Sequence, residues 1–162
     1  MSSFYHPDYY GSGGRKFSGL IEMLVRLVGE RHARFLTKQV PAQGRVLDVG
    51  CGRGVTLQAI ARTGLECHGF DVNPHAVQGL DAGIHVHVAD SLVDACLEDR
   101  CFDEVIIWHV LEHVPDPRAM LQEVHRILRP DGVLVVAVPN AASWQAKWAG
   151  PTWFHLDPPR HL

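Results

Sequence analysis

The chain has 162 residues, 46% of them hydrophobic, and a formal charge of −3, enough for one continuous core and too short to expect two. It lacks the basic excess of a protein that neutralises nucleic-acid phosphates, and no apolar run approaches the roughly 18 residues that cross a bilayer. Neither nucleic-acid binding nor stable membrane insertion is expected.

The opening MSSFYHPDYYGSGG offers no basic or apolar targeting region. Cys51, Cys67, Cys96 and Cys101 form no C-x-x-C pair, so the chain reads as cytoplasmic with reduced thiols. Leu20, Leu24, Leu27 and Val28 recur at helical spacing, Leu36 continues the stripe, and Pro41 ends the predicted helix. The basic residues on it, Arg26, Arg31, Arg34 and Lys38, read as a solvated face rather than a contact for a membrane or an anionic acceptor. From Arg45 strands and helices alternate. The strand RVLDVG leads into a helix from about Gly54 to Arg62, ECHGFD into a helix from Pro74, and HVHVA into a helical stretch after Asp90. FDEVIIWHV then precedes a helix from Pro117 to Leu128 behind an Asp116 N-cap, and GVLVVAVP closes the series. Strands this apolar predict burial on both faces. The expected fold is α/β, a Rossmann-like three-layer α/β/α sandwich around a mostly parallel, doubly wound sheet with right-handed crossovers. Residues 1–44 form an N-terminal segment and helix, 45–140 the core, and 141–162 an aromatic-rich loop.

In such a sheet ligands lie beyond the carboxyl ends of the strands. VLDVGCGRG puts Gly50, Gly52 and Gly54 there. A dinucleotide turn, G-x-G-x-x-G, needs its third glycine at position 55, which is Val55. Asp71, closing the next strand about 20 residues after the first glycine, is placed to accept both hydroxyls of a ribose. Asp48 would repel a pyrophosphate and favour an ammonium or sulfonium group. Asp90, ending the third strand, suits an exocyclic amine of adenine. The ligand these acids describe is an unphosphorylated nucleoside with a cationic amino-acid arm.

VLDVGCGRG, GFDVNP, VAD followed by Ser91 and Leu92, FDEVIIWHVLEHVPDP and LRPDGVLVVAVPN, in that order, make the chain resemble the class I S-adenosylmethionine-dependent methyltransferases. LEHVPDP is similar to the ubiquinone-biosynthesis O-methyltransferases and the small-molecule enzymes around them. The resemblance implies S-adenosyl-L-methionine as cofactor, held by Asp48, Gly50, Cys51, Gly52, Gly54, Asp71, Val72, Asp90, Ser91, Leu92 and His109, with a small-molecule methyl acceptor and an oxygen as the favoured site. An [DN]-P-P-[YF] motif of amine methylators is missing after the fourth strand. Asp157-Pro158-Pro159 follows the fifth and is read as coincidence.

His109 and His113 flank Glu112 at the exit of the fourth strand and are the catalytic candidates. Their structural alternatives are a wall residue for His109 and a loop-shaping pair for Glu112 and His113. No metal is assigned, although His109, Glu112, His113 and a later histidine such as His161 resemble the ligand set of the small-RNA 2′-O-methyltransferases, with His109 where those carry glutamate. Tyr5, Tyr9 and Tyr10 are candidates for a lid. Trp144, Trp148, Trp153 and Phe154 belong either to an acceptor pocket or to packing. The family's sheet has two further strands beside the fifth, which the sequence does not supply. An uncovered apolar edge then predicts a homo-oligomer or poor solubility, and a truncated or non-catalytic cofactor-binding protein is the alternative function. A nicotinamide oxidoreductase is disfavoured by Val55 and Asp48.

Overall fold

A computed structural model of the protein describes residues 19–150, with side chains from Leu27 onward. The expectations for Tyr5, Tyr9, Tyr10, Trp153, Phe154, the Asp157-Pro158-Pro159 triplet and His161 lie outside the described residues.

Five strands, β1 (Arg45–Val49), β2 (Glu66–Asp71), β3 (Ile84–Val88), β4 (Phe102–Trp108) and β5 (Leu128–Ala137), pair in parallel in the order β3-β2-β1-β4-β5. Successive side chains of a strand point to opposite faces, and the register gives each face its own core. Leu47, Val49, Phe70, Val105 and Ile107 line one face and are covered by α3 (Pro117–Ile127) through Met120, Val124 and Ile127, with Leu92 and Leu97 beside them. Val46, Cys67, Ile84 and Ile106 line the other, covered by Leu57, Ala59 and Ile60 of α2 (Val55–Ala61) and by Ala33 and Leu36 of α1 (Gly19–Leu36). The result is the expected α/β/α layering. α3 starts where the sequence predicts, the Asp116 carboxylate accepting the Ala119 N–H and Pro117 filling the first turn. A short α4 (Trp144–Ala149) follows β5 behind a Ser143 cap. Among the described residues no helix is long and apolar enough to cross a membrane.

Four expectations are corrected. No helix starts at Pro74: residues 74–79 are turns, because the Asn73 side chain caps the His75 N–H and Gly79 breaks the path at φ 89°. Turns also replace the helical stretch after Asp90, where the Ser91 hydroxyl, rather than a helical carbonyl, takes the Asp94 N–H. Burial on both faces holds for β1 and β4 but not at the edges: Val86 and Val88 on β3, and Leu134 and Val136 on β5, are exposed. Finally, α1 is anchored by its C-terminal half. Ala33 and Leu36 are buried, whereas Leu27 and Val28 of the predicted stripe face solvent. α1 also ends at Leu36, a turn before Pro41, with Thr37 turning its hydroxyl back to Ala33.

Candidate functional site

The chain runs β1, β2, β3 in one direction along the sheet and returns through β4 and β5 on the other side of β1. The reversal falls between β1 and β4, and in open α/β sheets the crevice at that point is where ligands bind. The strand order lays Asp90, Asp71, the glycine turn and His109 along one carboxyl edge.

The turn leaves β1 with Gly50, Gly52 and Gly54 all at positive φ, 74°, 51° and 65°. The three glycines serve two ends. A Cβ on Gly50 would lie 2.4 Å from the Val110 side chain, and one on Gly54 2.1 Å from Leu80, so these two admit close packing. A Cβ on Gly52 would meet nothing within 4 Å. Its bare face is open to a ligand. The Phe70 carbonyl accepts the N–H groups of Gly50 and Cys51 at 2.7 and 3.0 Å, fixing the turn to β2.

Asp71 completes the link. One carboxylate oxygen accepts the Gly52 N–H at 2.9 Å and the other the Asn73 N–H at 2.8 Å. The side chain therefore orients the glycine turn and the β2 exit together, and each oxygen keeps a second lone pair for a hydroxyl donor. Val72 next to it is exposed, an apolar surface at the same edge.

Asp48 lies on β1 beneath the turn, opposite Gly69 and Ile106, and is 5% exposed. Burial, with Asp71 nearby, pushes its carboxyl up to about 7. No arginine or lysine among the described residues pairs with it. A cation arriving at the turn would restore its charge. The same surroundings push the Cys51 thiol up to about 12, which removes it as a thiolate nucleophile and leaves it a small polarizable wall.

Asp90 is exposed past the end of β3. Ser91 donates to Asp94 at 2.6 Å, and the Leu92 side chain is 2% exposed within the core rather than at the edge. His109, at the exit of β4, holds φ 54°, a left-handed conformation uncommon for a residue with a side chain. Its N–H donates to Ala137 on β5, and its Nδ1 stands 3.4 Å from Glu112 Oε1. His113 ends the short 3₁₀ turn Leu111–His113. Among the described residues His109, Glu112 and His113 do not bring three ligand atoms to one point. Phe70, Asn73, Val110 and Leu80 were not legible as site residues, since each acts through backbone or through packing on a glycine that only the register reveals. Trp144 and Trp148 stack at 6.2 Å on α4 and are largely exposed.

The residues present fit a nucleoside that carries a cationic arm and no phosphate. Gly52 leaves room against backbone, Asp71 offers paired acceptors, and Asp48 is a buried acid without a counter-ion among the described residues. A parallel sheet in this order, with acids and glycines at this edge, is the layout of the Rossmann-like nucleoside-binding domains, among them the class I S-adenosylmethionine-dependent methyltransferases. Residues 21–162 match the family described as Methyltransferase domain, and the chain belongs to that family. The ubiquinone biosynthesis O-methyltransferase of Xylella fastidiosa is 36% identical over 114 residues, 65% of this chain and 46% of that protein. Its counterpart from Haemophilus ducreyi is 33% identical over 123 residues, 66% of this chain and 52% of that protein. The chain thus spans about half the length of the curated relatives it matches. The solved structure of a SAM-dependent methyltransferase from Archaeoglobus fulgidus superposes with a TM-score of 0.64 at 26% identity, over 83% of this chain and 65% of the other.

Proposed function

We propose that the chain binds S-adenosylmethionine along its carboxyl edge and serves methyl transfer to an oxygen of a small molecule. The observation that carries this reading is the Asp71 carboxylate bonded to the open Gly52 turn. In it, Gly50, Cys51, Gly52 and Gly54 lie along the amino-acid arm, with Asp48 supplying the opposing charge. Asp71 takes the ribose hydroxyls, while Val72, Asp90, Ser91 and the Leu92 backbone frame the adenine.

The cofactor supplies a methyl group already activated by sulfonium, so the protein's task is to align the acceptor and keep water out. His109 is the proton acceptor. Glu112 beside Nδ1 orients the ring, and the imidazole would take the proton of an acceptor hydroxyl as that oxygen displaces the thioether sulfur from the methyl carbon. His113 positions this loop. The choice of oxygen rests on the names of the curated relatives, both of them O-methyltransferases.

Calorimetric titration with S-adenosylhomocysteine tests the binding, and transfer of labelled methyl to a panel of phenols and catechols tests the chemistry. Binding without transfer to any acceptor would leave the non-catalytic reading standing. Absence of binding would remove both.

A further inference from the structure

The alternation of β2 and β3 puts a second group of ligating side chains far from the glycine turn. Glu66, His68 and Phe70 share one face of β2, and in register with them His85 and His87 share the same face of β3, His68 opposite His85 and Phe70 opposite His87. Ligand atoms of Glu66, His68 and His85 all lie within 4.8 Å of one another. The contacts inside the group are specific. His68 Nε2 is 3.0 Å from Glu66 Oε1, and His68 Nδ1 is 3.0 Å from His87 Nε2. The His68 ring stacks on His85 at 4.7 Å and on His87 at 5.3 Å, with the Phe102 ring standing edge-on at 5.1 Å. Glu66 gives its other oxygen to Arg45 at 3.0 Å, which fixes the carboxylate and leaves Oε1 turned to the histidines.

We propose that Glu66, His68 and His85 bind a transition-metal dication of the zinc, cobalt, nickel or copper type. Two imidazoles and one carboxylate match the donor preference of these ions and not that of magnesium or calcium, which take oxygen. Metal–ligand bonds of about 2.0 to 2.2 Å put tetrahedral donors about 3.3 Å apart. Glu66 and His68 are already closer than that, and the exposed His85 closes the set by rotating its side chain. His87 is the outer partner. When His68 Nε2 coordinates the metal through its lone pair, the neutral ring carries its proton on Nδ1, and this Nδ1–H donates to His87 Nε2, the second hydrogen bond that orients metal-bound imidazoles. Water fills the remaining position.

The site does not depend on the methyl donor. Glu66 opens β2, whereas Asp71 closes it, so the metal sits toward the opposite end of the strands from the glycine turn. Its consequence is structural. Among the described residues β3 pairs only with β2, and a metal shared between Glu66 and His68 on one strand and His85 on the other clips that edge strand in place.

The test is a titration of the full chain, prepared without a histidine tag, with zinc against a chromophoric indicator and with cobalt followed by its visible spectrum. Glu66→Gln, His85→Ala and, as a control, His125→Ala on the outer face of α3 are measured alongside. The wild type and His125→Ala should take up the same tight equivalent, with a rise in melting temperature that saturates with metal. His85→Ala and Glu66→Gln should each bind that equivalent about tenfold or more weakly. Glu66→Gln keeps the side chain's shape, so it reads the site even if His85→Ala disturbs the edge. Titrations of both variants that coincide with the wild type, or a wild type with no tight equivalent, would overturn the proposal.

Discussion

Replacing Asp48 with asparagine separates stability from ligand binding. In the free protein the Asp48 carboxyl sits at about 7 against an ordinary 3.8, because it is buried and faces Asp71. At about 1.36 kcal/mol for each factor of ten in the proton equilibrium, ionising it in the folded state costs about 4 kcal/mol. A raised carboxyl binds its proton more tightly folded than unfolded. Its cost is therefore absent below about pH 4, grows as pH rises toward 7, and is complete above. Wild-type stability should fall across that window, and Asp48→Asn should remove the Asp48 share of the fall. For a chain of this length 4 kcal/mol corresponds to roughly 10 °C in melting temperature, so the variant should melt higher by up to that amount near about pH 8, by about four-tenths of it near about pH 5, and by little below about pH 4. Thermal melts at a series of pH values make the comparison. Cofactor binding moves the other way: wild-type affinity for S-adenosylmethionine should rise with pH through neutrality as Asp48 ionises, whereas the variant's should be weaker and flat. Parallel melting curves for the two proteins would refute the burial argument. An unchanged affinity would refute the charge argument.

Three further outcomes follow from particular residues. Glu104 is fully buried on β4 with neither carboxylate oxygen hydrogen-bonded, and burial raises its carboxyl to about 7. Glu104→Gln should stabilise the protein above pH 7 and have little effect near about pH 4, as read by chemical denaturation at the two values. Gly52→Ala meets no atom within 4 Å but must hold φ 51°. It should cost about 1 to 2 kcal/mol of stability, with a larger loss of S-adenosylhomocysteine affinity, because its methyl occupies the open face; equal effects would place the ligand elsewhere. On β5, Leu134 and Val136 point to the α3 face and remain exposed beside an edge with no further strand among the described residues. Val136→Lys should shift sedimentation toward monomer if that edge mediates self-association, and an unchanged wild-type-like distribution would exclude it.

The layout of strands was legible because β1 and β4 are nearly continuous apolar runs and the glycine turn punctuates the first of them. The Asp116 cap likewise announces α3. What failed was the β2–β3 connection: Pro74 looks like a helix start, but the Asn73 cap and Gly79 end the path after a turn, and Leu80 is used to pack on Gly54. Edge exposure was not legible either, since composition shows that Val86 or Val136 is apolar but not that its strand lies at the margin. At the site, Asp71 and the glycines are readable from spacing. That Asp71 also holds the turn, and that Val110 seals Gly50, depends on neighbours 19 and 60 residues away. The histidine group on β2 and β3 was invisible for the same reason: ECHGF and IHVHV alternate in plain view, yet only the register sets His68 against His85.

Whether the Asp71-bonded glycine turn receives an unphosphorylated, cationic nucleoside can be measured. Calorimetry of the wild type and Asp71→Ala with S-adenosylhomocysteine, and of the wild type with NADH, tests it most directly. Loss of charged hydrogen bonds to the ribose, at about 1.5 to 3 kcal/mol each, predicts one saturable site that Asp71→Ala weakens by about a hundredfold, and no comparable binding of NADH. Wild-type affinity in Asp71→Ala would place the ligand away from this turn, and NADH binding more tightly than S-adenosylhomocysteine would make it a dinucleotide site.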